Sequence, residues 1–440
     1  MNPMLKVQEK TTEDDSIQSY ERFGYKSITG TNLNTPSPIV IRVENSDNFF
    51  RPCDSELQFS GKVVKAADGA VIKKDEAKTA LINNGILHLF DCIKYDLSGN
   101  EIETLYHPGP AINMLGILTY PASYNESGGL GACWSLDDGT GKAEAANHGW
   151  ENRKKILFEN NEMAAAAEDP NSGSFRFSIR LDQIFGFASD YRKVLYGFVH
   201  TLTLIRNLDD NNAFLTTKTA GTKCKILFDE INWILPSVTP SDVAKYELVK
   251  LINEQVVLSI NFRVRQCITT MLPKSTQNFF WRVGIRTAPE KPRFLVVGFQ
   301  TARDGDQEEN NGLFDHCDLT NTYVLLNNQR YPAMDYHTDF GKNHYDTLYR
   351  EFYQFLSKFH GIPTEVTSSS IDPISYKHLF PLVVYDVRHQ SERIKQAVVD
   401  ITIQCYFSKN VPEKTKAFCL MISDRRLKFK SDGQKMGIVY

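Results

Sequence analysis

Apolar and polar residues alternate with a period of two along much of the chain. In PIVIRVE, Ile39, Ile41 and Val43 fall on one side and Val40, Arg42 and Glu44 on the other. FRFSIRL sets Phe175, Phe177, Ile179 and Leu181 against Arg176, Ser178 and Arg180. VLSINFRVRQCI and VVDITIQCYF repeat the pattern through Leu258, Ile260, Phe262 and Val264, and through Val399, Ile401, Ile403, Cys405 and Phe407. Successive side chains of a strand point to opposite faces, so this alternation predicts half-buried antiparallel strands. FLVVGF and FPLVVY are apolar throughout and predict strands covered on both faces. In QNFFWRVGI, Phe279, Trp281 and Val283 read as core, with Phe280 on the opposite face. Asp-Gly, Ser-Gly and Asn-Asn pairs in AADGAV, LSGNEI, LNNQRY and SDGQKM supply the positive φ of tight hairpins. The fold class predicted is all-β and mostly antiparallel.

Three segments carry helical periodicity: 147–169, 239–255 and 347–360. In the second, Thr239 is the expected cap, Pro240 the first helical residue, and Val243, Tyr246, Val249 and Ile252 the shared face. This helix divides two β-rich halves of similar layout. Each has paired strands first (39–64 and 257–301), then a long excursion (98–173 and 302–379), then strands again. The expected organisation is an arm at 1–35, a first sandwich at 36–238, a connecting helix at 239–255 and a second sandwich at 256–440. Two sandwiches with long loops at equivalent places produce this layout.

The composition excludes several classes. The 440 residues carry a net charge of −3, against the basic excess that phosphate neutralisation needs. No run of 18 apolar residues exists to span a membrane, and the polar start, MNPMLKVQEKTTEDD, lacks a signal-peptide core. Cys53, Cys92, Cys133, Cys224, Cys267, Cys317, Cys405 and Cys419 stand singly, several inside strand-like runs. They read as reduced core residues of a protein made inside a cell.

Few residues of the chain stand in patterns that carry chemistry. RFLVVGFQT empties into DGDQEENNGLFDHCD, whose best metal reading is a calcium loop opening at Asp304, with Asp306, Glu308 and a closing Asp315. Glu309 occupies the position that needs glycine, and the closing residue is not glutamate, so a solvated loop is the better reading. DDGTGKAEAA fails the phosphate-loop pattern twice, at Leu136 and Ala143. The ten histidines are dispersed. His200, within YGFVHTLTLI, reads as a core or interface residue. No catalytic, cofactor or metal site is predicted.

Four phrases nonetheless stand out: SIRLDQIFGFASDYRKVLYGFVHTLTLIRN, FRVRQCITTMLPKSTQNFFWRVGIRTAPEKPRFLVVGFQT, DHCDLTNTYVLLNNQRYPAMDY and AFCLMISDRRLKFKSDGQKMGIVY. In this order they resemble the hexon-like major capsid proteins of Polinton (Maverick) elements and adintovirus-like viruses, over roughly residues 40–440. The resemblance implies two eight-stranded jelly-rolls side by side. It further implies a homotrimeric, pseudo-hexagonal capsomer that joins neighbouring capsomers and a separate vertex (penton) protein in an icosahedral virion shell around double-stranded DNA. It brings no catalytic residue and no cofactor. Under it, Asp304, Asp306, Glu308 and Glu309 become a candidate subunit-contact loop, the two excursions fold over one another at the threefold axis, and the arm runs beneath the shell to a neighbour, a vertex protein or the internal face. The readings it competes with are a β-sandwich carbohydrate-active hydrolase or lectin, and a host protein domesticated from a viral coat.

Overall fold

A computed structural model describes residues 16–28, 32–44, 48–159, 172–218, 221–286, 290–363, 371–389, 399–431 and 436–439. Residues 1–15 of the expected arm, 160–169 of the first expected helix and most of the polar connector at 388–396 lie outside the described residues.

The first half contributes β1 (Ile17–Lys26), β2 (Ile39–Val43), β3 (Glu56–Lys65), β4 (Phe90–Leu97), β5 (Asn100–Tyr106), β6 (Ser174–Arg180), β7 (His200–Arg206) and β8 (Cys224–Pro240). The second contributes β9 (Leu258–Met271), β10 (Asn278–Arg286), β11 (Lys291–Thr301), β12 (Leu319–Leu326), β13 (Gln329–Tyr331), β14 (Val383–Asp386), β15 (Val399–Phe407) and β16 (Thr415–Ser431). The hydrogen-bonded orders are β1-β8-β3-β6 and β2-β7-β4-β5 in one half, β9-β16-β11-β14 and β10-β15-β12-β13 in the other. Each half is therefore the same eight-stranded antiparallel jelly-roll, with its first strand beside its last.

Facing sheets meet through aromatic side chains, as alternation requires. Phe59 of β3 packs on Phe90 of β4 at 5.7 Å, and Phe299 of β11 on Phe407 of β15 at 5.6 Å. Ile39, Ile41 and Val43 of β2 are buried, as are the five apolar positions expected of β15. β11 is buried along nearly its whole length, being inside its sheet and covered on both faces.

The structure corrects the expected arm. Residues 17–26 are not a tail but β1, pairing with β8 from Ile17↔Pro240 to Lys26↔Asn232. IQSYERFGYK shows no alternation because both its faces are largely exposed; of its side chains, Tyr25 packs on the core. The correspondence between halves shifts by one strand in consequence. β9 matches β1 in sheet position, β10 matches β2, and β11 matches β3.

The excursions are also shorter than expected, because β5 and the β12–β13 hairpin lie within them. β5 escapes a periodic reading because a register shift and the buried Glu103 break its alternation. What remains holds helices α1 (Pro108–Thr119) and α2 (His148–Phe158) in the first half, with α6 (Asp346–His360) and α7 (Pro373–Leu379) in the second. The short α3 (Leu181–Ile184) and α4 (Gly186–Asp190) follow β6, and α5 (Asp242–Asn253) joins the halves. α1 is apolar and buried on nearly every side, whereas α6 buries Leu348, Phe352, Phe355 and Phe359, with Phe355 against Phe294 at 5.0 Å. α5 begins later than expected, since Thr239 and Pro240 complete β8 and Ser241 accepts from the amide of Lys245. Val243 and Tyr246 of its expected shared face are exposed.

His88 and His200 are fully buried in the first half. His200 Nδ1 lies 2.8 Å from the hydroxyl of Tyr95, and burial holds both imidazoles down to about 3. An imidazole normally titrates near 6.5, so the unfolded chain takes up two protons on acidification that the folded chain refuses. Stability is therefore full above pH 6.5 and falls between pH 6.5 and about 3. The expected outcome is an unfolding midpoint that declines across that window, with a shallower decline in His88→Gln/His200→Gln, read by denaturant titration at successive pH values.

Candidate assembly surface and the seam between sandwiches

β9 ends its sheet, and an end strand presents unpaired amides. Here the first sandwich covers that edge with carboxylates. Asp190 of α4 accepts from the amide of Arg263 at 2.8 Å, and Glu103 of β5 accepts from the amide of Arg265 at 2.8 Å. Glu103 also takes the amides of Gly186 at 3.1 Å and Phe187 at 2.9 Å. It is fully buried, and burial pushes its carboxyl above the usual range, against the pull of the Arg265 charge and these three amides.

Both arginines face the same seam. Arg263 grips Asp190 through its guanidinium, donates to the Phe359 carbonyl at 2.7 Å and stacks on the Phe359 ring, so β9, α4 and α6 are held together. Arg265 is buried and donates to the carbonyls of Gln183 and Asp182, while Arg425 of β16 reaches the carbonyl of Ile102 at 2.6 Å. Phe187 meets Phe262 edge-on at 5.2 Å. The approach leaves no room for a side chain at position 186: a Cβ on Gly186 would sit 1.6 Å from the Arg263 carbonyl oxygen. Apolar residues of the two sandwiches accordingly form one continuous cluster.

The acidic loop forms a second fastening, one that sequence reasoning missed. Gln307 is buried and mimics a strand partner for Cys224, accepting from its amide and donating to its carbonyl, each at 2.8 Å. The Gln307 carbonyl accepts from the amide of Thr216 at 2.7 Å, Asn310 donates to the Gly141 carbonyl at 2.8 Å, and Asn113 of α1 donates to that of Gly312 at 2.7 Å. Amide side chains scattered through an acidic loop give no periodic signal, so nothing in the pattern marked Gln307.

The four candidate residues divide accordingly. Asp304 is bound by Asn212 at 2.7 Å and Lys416 at 3.3 Å, and Glu309 by Lys218 at 2.6 Å, all within the chain. Asp306 and Glu308 face outward, with Asp306 accepting from the Glu308 amide at 3.0 Å. Beside them, His88, His107, Asp304 and Lys416 border a cavity of about 50 Å³. Among the described residues, no group of three or more His, Cys, Asp or Glu side chains could hold a metal ion, and no helix is long and apolar enough to cross a membrane. All eight cysteines are free thiols and seven are buried, with burial raising Cys92, Cys133 and Cys224 to about 11.

Residues 148–427 match the double jelly roll-like domain family, nearly two-thirds of the chain. The chain belongs to that family. Solved structures agree in fold over the whole length. A chain in the cryo-EM structure of the Sputnik virophage superposes with a TM-score of 0.60 at 10% identity, covering 100% of this chain and 92% of that one. The mavirus major capsid protein gives 0.57 at 10% identity, covering 99% and 93%. PBCV-1 VP54, fitted into a reconstruction of the Sputnik virophage, gives 0.54 at 10% identity, covering 99% of both. No curated protein matches in sequence. In this double jelly-roll the seam and the Gln307 fastening together join the two rolls.

Replacing Glu103 by alanine orphans three buried amides at that seam. The expected cost is on the order of 3–5 kcal/mol in denaturant unfolding, with Glu103→Gln losing markedly less.

Proposed function

We propose that this double jelly-roll is a viral major capsid protein that forms homotrimeric, pseudo-hexagonal capsomers of an icosahedral virion shell around double-stranded DNA. One observation carries the reading: two sandwiches of identical strand order, fastened at a seam too tight for a side chain at Gly186. Three such bodies place six similar sandwiches around an axis, so a threefold particle can tile sixfold-coordinated positions. Likeness in fold to the mavirus major capsid protein supports it. On this reading the partners are neighbouring capsomers and a separate vertex protein, because a six-sided unit does not fill a fivefold position.

A hydrolase on this scaffold needs carboxylates free to act in a cleft. Glu103 and Asp190, the carboxylates lining the seam, are committed to backbone amides and Arg263. The excursions meet within one chain, where α1 lies against α6. Their further meeting around a threefold axis belongs to this proposal. So does the role of Asp306 and Glu308 as the outward part of a subunit-contact loop.

Electron microscopy of the purified protein tests the reading. Six-sided particles or closed shells are expected, and a monodisperse monomer at high concentration contradicts it. Asp306→Ala/Glu308→Ala is expected to shift the salt dependence of assembly, measured by light scattering, at an unchanged melting temperature. Asp304→Ala/Glu309→Ala instead removes contacts within the chain and is expected to cost about 1 kcal/mol or less, since these pairs are exposed.

A further inference from the structure

β1 and β9 occupy the same place in their sandwiches but not the same surroundings. Their registers can be matched. Ile234 of β8 pairs with both Gly24 and Glu56, the first residue of β3, while Asp424 of β16 pairs with both Arg263 and Lys291, the first residue of β11. Gly24 thus stands for Arg263, Lys26 for Arg265 and Phe23 for Phe262. Phe262 is 2% exposed because the first sandwich lies over it, whereas Phe23 is 41% exposed. β1 ends its sheet, so its outer amides at Gly24 and Lys26 stand where those of Arg263 and Arg265 meet carboxylates.

The second sandwich has the matching concavity. In the first, β9 is received by Glu103 of β5 and by the turn after β6, where Gln183 follows the last strand residue, Arg180, by three positions. Counted from the hairpins, Glu103 pairs with Tyr95 and Tyr331 with Val324, so Tyr331 of β13 occupies the place of Glu103. Asp386 closes β14, and His389 follows it by three residues as Gln183 follows Arg180. Tyr331, Asp386 and His389 line an open hollow of about 270 Å³ together with Tyr336, Glu351 and Lys358. The hollow is balanced in charge, Lys358 pairing with Glu351 and Arg388 with Asp386, and on β1 Lys26 pairs with Glu230 while its side chain stays 73% exposed, so the match is one of place and shape.

We infer that the hollow at Tyr331, Asp386 and His389 receives the β1 edge of a second copy of this chain, in the position that β9 takes against Glu103 and Gln183 within one. The inference rests on the trimer reading and names the surfaces that make the trimer. β1, which is nearly uncovered in the single chain, then becomes a buried strand, and Phe23 gains the cover that Phe262 already has.

The test uses the full chain with Lys26→Cys and His389→Cys, two exposed positions at the register of Arg265 and Gln183, with the native thiols largely buried. Under mild oxidation, covalent dimers and trimers are expected on non-reducing gels, and neither single variant should give the trimer. In the unmodified trimer, amide exchange at residues 17–26 is expected to slow at least tenfold relative to the Phe23→Glu variant, which should remain a folded monomer by circular dichroism and light scattering. A trimer that neither cross-links nor protects β1 overturns this inference and leaves the capsid reading standing. A chain that forms no trimer under any condition overturns the capsid reading itself.

Discussion

An end strand in a β-sheet must be paired, covered or blocked, because its outward amides otherwise recruit other strands. The blocking of β9 is the constraint on which the rest of this molecule depends. Two carboxylates of the first sandwich accept its outward amides, and the strand's own arginines are spent on carbonyls and on Asp190. An edge that invites association becomes an internal joint, and two sandwiches become one body. The arrangement buries Glu103 and Arg265 at a desolvation cost, offset because each has backbone partners. Glu103 takes the amides of Gly186 and Phe187 in its own sandwich and of Arg265 in the other, and Arg265 donates to the carbonyls of Gln183 and Asp182 across the seam.

The seam and the second fastening, a clasp built on Gln307, work at different places and by different chemistry. At the seam, charge-assisted bonds set register, and Gly186 lets the backbones touch. At the clasp, the neutral amides of Gln307 and Asn310 extend the hydrogen bonding of β8 and the first excursion into the second sandwich. Fastening at both places restrains rotation of one roll against the other. The long excursions add bulk there, with α1 meeting α6 inside the chain.

The alternation along β2, β6, β10 and β15 made the all-β class legible, since in those strands one face is core and the other is not. β1 was illegible for the opposite reason: it is held by backbone pairing, with few side chains buried, and a strand without a dry face leaves no period. β5 was hidden by Glu103, a charge at a core position, and that same charge makes the seam. Asp304 and Glu309 were visible as an acidic cluster, but their partners Asn212, Lys416 and Lys218 are brought together only by the fold. The layout already pointed to two sandwiches, and the resemblance to hexon-like capsid proteins added that they are jelly-rolls standing side by side.

Amide hydrogen exchange at Arg263 and Arg265 examines the central constraint most directly. Protection comparable to the interior of β16 is the result this account requires, despite β9 having no strand on its outer side. Exchange at the rate of an open edge, in a chain whose sheets are otherwise protected, would show that the first sandwich does not seal the second.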